Sequence, residues 1–358
     1  MNQPATATKR FAYLDFLRIL AAFLVIVNHT NSLVFEKTAP SDPVWWLSVA
    51  WYYLSKIAVP LFVMVSGACL LPRQETYRKT WGRFLRVLLV LVIFSYAYYL
   101  VGVWETYWTW ARAFDYQTFF ASMWAGPVTD SFWYLYFYLG MMVMLPILQR
   151  MAAAMQKRDV QYLMGVSFFV YAGWPLVTHY LPGLAFPPCF DVPVFAVFIG
   201  LFFAGHYVHA YAARPGKMLN LLIALAMVAA SVWLTYLEFG HVAQGAKYWF
   251  MDERTEPSLP VIVCAIAVMA LARSAFEAGE ARLGATRANR WAVVGGCAFG
   301  IYLLQDLVIA ETRYRFFVPV SGVINPFLAA LIWEIGVFLI AFGIAWVLKH
   351  IPLLRKLL

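Results

Sequence analysis

Charge is what this chain has least of. Lysine, arginine, aspartate and glutamate make up 13% of its 358 residues, where a soluble domain carries about a quarter. Hydrophobic residues reach 63% and the mean hydropathy is +0.70, which excludes a soluble globular fold. Cysteine is scarce as well. Of Cys69, Cys189, Cys264 and Cys297, three lie inside apolar runs and Cys189 falls in a loop. They offer neither a disulfide framework nor the close spacing of a metal site. The apolar runs are continuous and lack alternation with polar residues, which excludes a β-barrel. No internal repeat stands out, which counts against a transporter assembled from inverted halves.

What remains is an all-α integral membrane protein with about ten transmembrane helices. Windows of about 20 apolar residues place them near 11–33, 44–71, 84–103, 132–148, 161–181, 194–213, 218–238, 258–276, 292–311 and 326–348. Together they form one polytopic domain over 1–358. The first run is too long and too charged for a cleavable signal peptide, so it is expected to be retained as a membrane helix. Lysine and arginine then orient the bundle. Nineteen lie on the side of the N-terminus and six on the opposite side, which puts both termini in the cytoplasm. The formal charge of +9 reflects this topology and does not call for nucleic acid as a partner.

One segment, 104–131, is rich in aromatics yet broken by Glu105, Arg112 and Asp115. It reads either as an amphipathic helix anchored at the interface or as an aromatic platform for a sugar. Glu238, His241, Asp252, Glu253 and Glu256 border one outer loop and are expected to be solvated. Phe186-Pro187-Pro188-Cys189 reads as an ordered turn.

The first span raises the functional question, because it carries Asp15, Arg18 and His29 in a greasy helix. Ionisable groups inside a membrane are functional candidates by default. Arg18 and His29 are eleven residues apart. Eleven steps of about 100° fall within about 20° of three full turns, so both share a face, roughly 16 Å apart along the axis. Asp15 lies three residues before Arg18, a spacing that permits pairing. Either Asp15 and Arg18 are a structural pair and His29 an interfacial cap, or Arg18 binds an anion and His29 is a general base. Lys56 either lines a cavity or snorkels to the outer interface. Asp306 and Glu311, near the outer end of the ninth span, either meet a substrate or are solvated there.

The same span, Leu14-Asp15-x-Leu17-Arg18 followed by ten residues and His29, resembles the N-terminal signature of the membrane-bound acyltransferase 3 family. Further resemblances follow in order. They are Val59-Pro60-Leu61-Phe62-Val63-Met64-Val65-Ser66-Gly67, the pair Arg83 and Arg86, Phe132-Trp133-Tyr134-Leu135-Tyr136 with Pro146, and Gly300-Ile301-Tyr302-Leu303-Leu304. Two positions depart from the pattern: Ser131 and Gln305 stand where the family often has histidine. An amide cannot accept a proton at neutral pH, so His29 is the stronger candidate for the base. With no long tail after its last span, the chain resembles the stand-alone members that lack an esterase-like domain.

The resemblance implies transfer of an acyl group, usually acetyl, from cytoplasmic acyl-CoA to a hydroxyl of an extracytoplasmic or lipid-linked glycan. It implies acetyl-CoA as donor, no metal, and a location in the inner membrane of a bacterium. On this reading Arg18, Arg83 and Arg86 bind the cofactor's phosphates, although the positive-inside rule alone also accounts for Arg83 and Arg86. His29 and Asp15 are the catalytic candidates. Ser66, Tyr134, Tyr302 and Gln305 are candidate donors to a developing oxyanion, and Asp306 and Glu311 candidate acceptor contacts. A transporter or flippase, and an inactive acyl-CoA sensor, are the competing functions.

Overall fold

The structure is a computed structural model that describes residues 10–106, 109–185, 196–211, 216–243, 248–251, 257–283 and 291–357. Cys189 with the turn around it, and Asp252, Glu253 and Glu256, lie outside the described residues. Among the described residues the regular structure is helical and no strand occurs. Eleven helices carry the architecture. They are α1 (Ala12–Thr30), α2 (Pro43–Ser55), α3 (Ala58–Leu70), α4 (Tyr77–Thr106), α5 (Trp133–Ala154), α6 (Lys157–Phe168), α7 (Val197–Ala210), α8 (Lys217–Val242), α9 (Leu259–Leu283), α10 (Ala298–Thr312) and α11 (Pro326–Leu348).

Among the described residues, eight helical stretches are long and apolar enough to cross a membrane. The other two of the ten expected spans coincide with the shorter helices α7 and α10. Proline explains most of the irregularities. The second span divides into α2 and α3 at Lys56 and Ile57, because Pro60 has no N–H to return and its ring crowds the carbonyl of Lys56. The sixth and tenth helices each run into a π-helical turn, Phe169–Gly173 and Arg313–Phe317, two residues before Pro175 and Pro319. The wider turn makes room for each ring. Pro146, by contrast, sits inside α5, which runs on past the expected end of that span to Ala154. Neighbouring helices in a membrane bundle tolerate such a break.

α1 occupies the middle of the bundle, packing against α2, α3, α9, α10 and α11. The closest crossing lies between α3 and α7, where two glycines face each other's backbones. A Cβ at Gly67 would lie 1.8 Å from the Phe202 carbonyl oxygen, and one at Gly205 would lie 1.8 Å from that of Met64. Small residues that let backbones touch are how helices associate where lipid removes the hydrophobic drive.

The segment after α4 forms two short helices, Trp110–Ala113 and Tyr116–Ala125. Phe119 and Met123 turn inward while Trp110, Phe120 and Trp124 are exposed. Tyr96 donates to the Ala113 carbonyl at 2.7 Å and Tyr136 to that of Met123 at 2.8 Å. Asp115 caps the second helix, and the Thr118 N–H and hydroxyl hold its carboxyl below the usual range. Such two-sided helices suit an interfacial position, and neither of them lines the cavities described next, although Ser131 at the end of the segment does line the outer one.

Candidate functional site

Two cavities enter the bundle from opposite ends of α1. The inner one, about 490 Å³, opens on the face that the charge distribution assigns to the cytoplasm. Arg10, Arg18, Arg83 and Arg86 line it, together with Ser66 and Cys69. The outer one, about 630 Å³, is lined by His29, Asn28, Lys56, Ser131 and Ser258 among many aromatic rings. Phe62, Tyr134 and Tyr302 line both.

The arginines are held in place by the protein itself. Asp15 is fully buried and receives Arg10 Nε at 2.6 Å and Arg18 Nη1 at 2.7 Å. Arg10 continues to the Ala292 carbonyl at 2.8 Å, and Arg18 Nη2 reaches Cys69 Sγ at 3.2 Å. This clasp forms because Gly295 lets its strand of backbone approach; a Cβ there would stand 2.8 Å from the Asp15 Cβ. Arg83 Nη2 pairs with the buried Glu75 carboxylate at 2.7 Å, and its Nη1 is buried with no partner among the described residues. Arg86 donates to the Leu357 carbonyl from Nε at 3.1 Å and Nη2 at 2.9 Å. Four cations around one cavity with two buried carboxylates leave it net positive, and Arg83 Nη1 is a donor still to be satisfied. A polyanion fits such a site.

His29 is half-buried near the outer end of α1 and has no hydrogen-bond partner among the described residues. Beside it, Thr30 at 3.0 Å and Trp51 at 2.9 Å donate to Glu334, which is fully buried. The Glu334 contact ties the outer end of α1 to α2 and α11 and so fixes where His29 stands. Asn28 Oδ1 and Ser258 Oγ are buried without partners among the described residues and belong to the cavity wall. Trp249 stacks on Tyr53 with ring centroids 5.6 Å apart and planes 1° apart. Its backbone N–H donates to Glu238 at 2.6 Å, and His179 meets the same carboxylate at 3.0 Å. Glu238 is buried, contrary to the expectation of a solvated loop charge, because it anchors the turn that roofs the outer cavity.

The remaining candidates sort as follows. Tyr302 donates to the Ser131 carbonyl, and the Asp306 carboxylate receives Ser131 Oγ at 2.5 Å and Thr129 Oγ1 at 2.8 Å. Asp306 therefore braces the turn before α5 against α10. Lys56 lines the outer cavity, with its ammonium 4.9 Å from the centre of the Tyr52 ring. Glu311 pairs with Arg315 at 3.2 Å on the surface, away from His29. Gln305 is fully buried, with both amide atoms unpartnered among the described residues, and lines neither cavity. Asp15 and His29 are not brought together: they stand fourteen helical positions apart, about 21 Å. Asp15 serves the inner cavity as the anchor of two arginines.

Some of these residues escaped the sequence reading. Arg10 counted as one more cytoplasmic charge, and Glu75 stood out in no way. Glu334 did carry a signal, being an acid in the middle of an apolar span. Among the described residues no group of three His, Cys, Asp or Glu side chains is placed to hold a metal.

Neither the curated proteins nor the solved structures include a match to this chain. The model of one family, described as an acyltransferase domain, matches residues 11–350. That span takes in α1 through α11 and the lining of both cavities apart from Arg10 and Leu357, and the protein belongs to the acyltransferase 3 family.

Proposed function

We propose that the protein transfers an acyl group, in the first instance acetyl, from cytoplasmic acyl-CoA to a hydroxyl of an extracytoplasmic or lipid-linked glycan. The observation that carries this reading is the pair of cavities on one helix, arginine-lined within and histidine-bearing without, that meet at three shared rings. The inner cavity suits the phosphates of CoA, with the thioester reaching inward to the rings. Arg18, Arg83 and Arg86, joined by Arg10, are preset for that charge. The outer cavity suits a sugar. Flat aromatic walls such as Trp249 and Trp133 match its apolar faces, while Asn28 and Ser258 offer unpartnered polar atoms to its hydroxyls.

In this mechanism a neutral His29 takes the proton of the acceptor hydroxyl as its oxygen attacks the thioester carbon. The oxygen–carbon bond forms, the carbon–sulfur bond breaks, and the proton passes from His29 to the leaving thiolate. General-base catalysis of this kind contributes roughly 10²–10⁴-fold. The Tyr302 hydroxyl donates to the Ser131 carbonyl; Tyr134 and Ser66, hydrogen-bonded to each other beside the inner cavity, are the donors proposed for the oxyanion. A bacterial inner membrane, with the arginine-lined face in the cytosol, is the setting that this division of labour requires.

The test uses protein purified in nanodiscs with acetyl-CoA and a panel of oligosaccharides, thiol release being measured. His29→Ala should lower kcat by at least about 10²-fold and leave CoA binding intact. Arg18→Ala should instead weaken CoA binding by about tenfold or more. Absence of CoA binding by the wild type would sink the proposal. Binding without turnover on every acceptor would favour a sensor.

A further inference from the structure

The three residues common to both cavities form a triangle. Ring centroids of Phe62 and Tyr134 are 6.0 Å apart, those of Phe62 and Tyr302 6.3 Å, and those of Tyr134 and Tyr302 5.9 Å. They come from three helices, α3, α5 and α10, so the triangle closes the bundle where the cavities meet. Two of its sides are fixed. Tyr302 is tied through its hydroxyl to the Ser131 carbonyl and stacks on Phe299, 6.4 Å away and within 9° of parallel. Tyr134 is nearly buried and stacks on Tyr138 at 6.0 Å. Phe62 has no polar atom to tether it, and its ring contacts are with the other two members.

Resting on the acyl-transfer reading above, we infer that this triangle is the aperture that selects the acyl group by length. Phe62 is its movable side, and acetyl passes in preference to longer chains. Thioester and acceptor approach from opposite faces of the rings, so the acyl carbon must enter the gap between them. Although open space lies on either side, three rings with centroids 5.9–6.3 Å apart leave little room between them. Each added methylene must displace a ring, and two of the three rings are held. A single methylene in a closely fitted apolar site changes discrimination by roughly 10–200-fold. Removing the Phe62 ring removes the side that determines the fit. Phe62 carries no charge and no transferable proton, so its effect falls on selectivity.

A one-pot competition tests this. Equal acetyl-CoA and butyryl-CoA are given to protein in nanodiscs with methyl β-glucoside in excess. Loss of each thioester is followed by chromatography, so transfer to the glucoside and to water both count. Both donors compete for the same molecules, so the ratio does not depend on how much protein is folded. The wild type should consume acetyl-CoA at least about tenfold faster. Phe62→Ala should raise the butyryl-to-acetyl ratio by about tenfold or more, with Phe62→Leu, the milder change, between the two. Phe62→Trp should lower it. A wild type that uses both donors equally would overturn the inference. So would Phe62→Ala and Phe62→Leu variants that keep the wild-type ratio. A wild type that consumes neither donor, with the glucoside or with any oligosaccharide of the panel above, refutes acyl transfer itself, and the aperture falls with it.

Discussion

Replacing Gly205 by alanine puts a methyl group where α7 touches α3. Its carbon would lie 1.8 Å from the Met64 carbonyl oxygen and 2.4 Å from the carbonyl carbon. Both are backbone atoms, so no side chain can swing away, and the helices must part by about 1.5 Å to restore an ordinary contact. A gap of that size forfeits more than half of each affected dispersion contact. With on the order of 30 atom pairs at ~0.1–0.2 kcal/mol each, the loss is about 2 kcal/mol, within the ~1–3 kcal/mol typical of overpacking. Alanine's better helix propensity returns at most about 1 kcal/mol. Gly343 in α11 supplies the control, because a Cβ there meets nothing within 4 Å. Gly343→Ala should therefore gain up to about 1 kcal/mol. The two variants should lie on opposite sides of wild type in equilibrium unfolding by SDS in mixed micelles, separated by about 2 kcal/mol. If Gly205→Ala proved as stable as Gly343→Ala, the backbone contact between α3 and α7 would not exist as described.

Glu238→Gln should loosen the turn that carries Trp249, raising the KM for the acceptor several-fold while CoA affinity stays unchanged; initial rates against acceptor concentration would show it. Glu75→Gln removes the counter-ion of Arg83 and should alter CoA binding by isothermal titration with His29-dependent turnover per bound CoA unaffected. In a Cys189→Ser background a small permeant alkylating reagent should modify Cys69 first, since Cys69 faces the inner cavity whereas Cys264 and Cys297 are buried. CoA should slow that reaction, as peptide mass spectrometry would report, and modification of Cys264 ahead of Cys69 would contradict the cavity.

The reach of sequence reasoning differed between the ends of α1 and the rest of the bundle. Arg18 and His29 were legible because charge in an apolar helix is conspicuous and helical periodicity fixes their shared face. That they line separate cavities, Arg18 the inner and His29 the outer, became visible only in the structure. The crossing of Gly67 and Gly205 was not legible, because a helix apolar all round shows no preferred face. Nor was Asp15's true neighbourhood, since the Ala292 carbonyl and Gly295 are remote in sequence. The i,i+3 spacing did foretell its pairing with Arg18. Phe62 lay in plain view inside a recognised motif, yet one phenylalanine among 29 has no distinguishing mark until two cavities are seen to share it. The split of the second span could have been read from Pro60; the anchoring role of Glu238 could not, because its partners come from other elements.

The Asp15 clasp also bears on how the chain is made. Arg10 and Arg18 flank the carboxylate within five residues, whereas the Ala292 carbonyl that completes the arrangement lies 282 residues beyond Arg10. At roughly 5–20 residues per second, translation reaches that point about 15–60 s after the first helix has been synthesised. During that interval the nascent helix carries its acid already neutralised by its own neighbours. The most polar part of the first span can thus enter the bilayer as a self-contained unit and wait there for the partner that arrives with the last third of the chain.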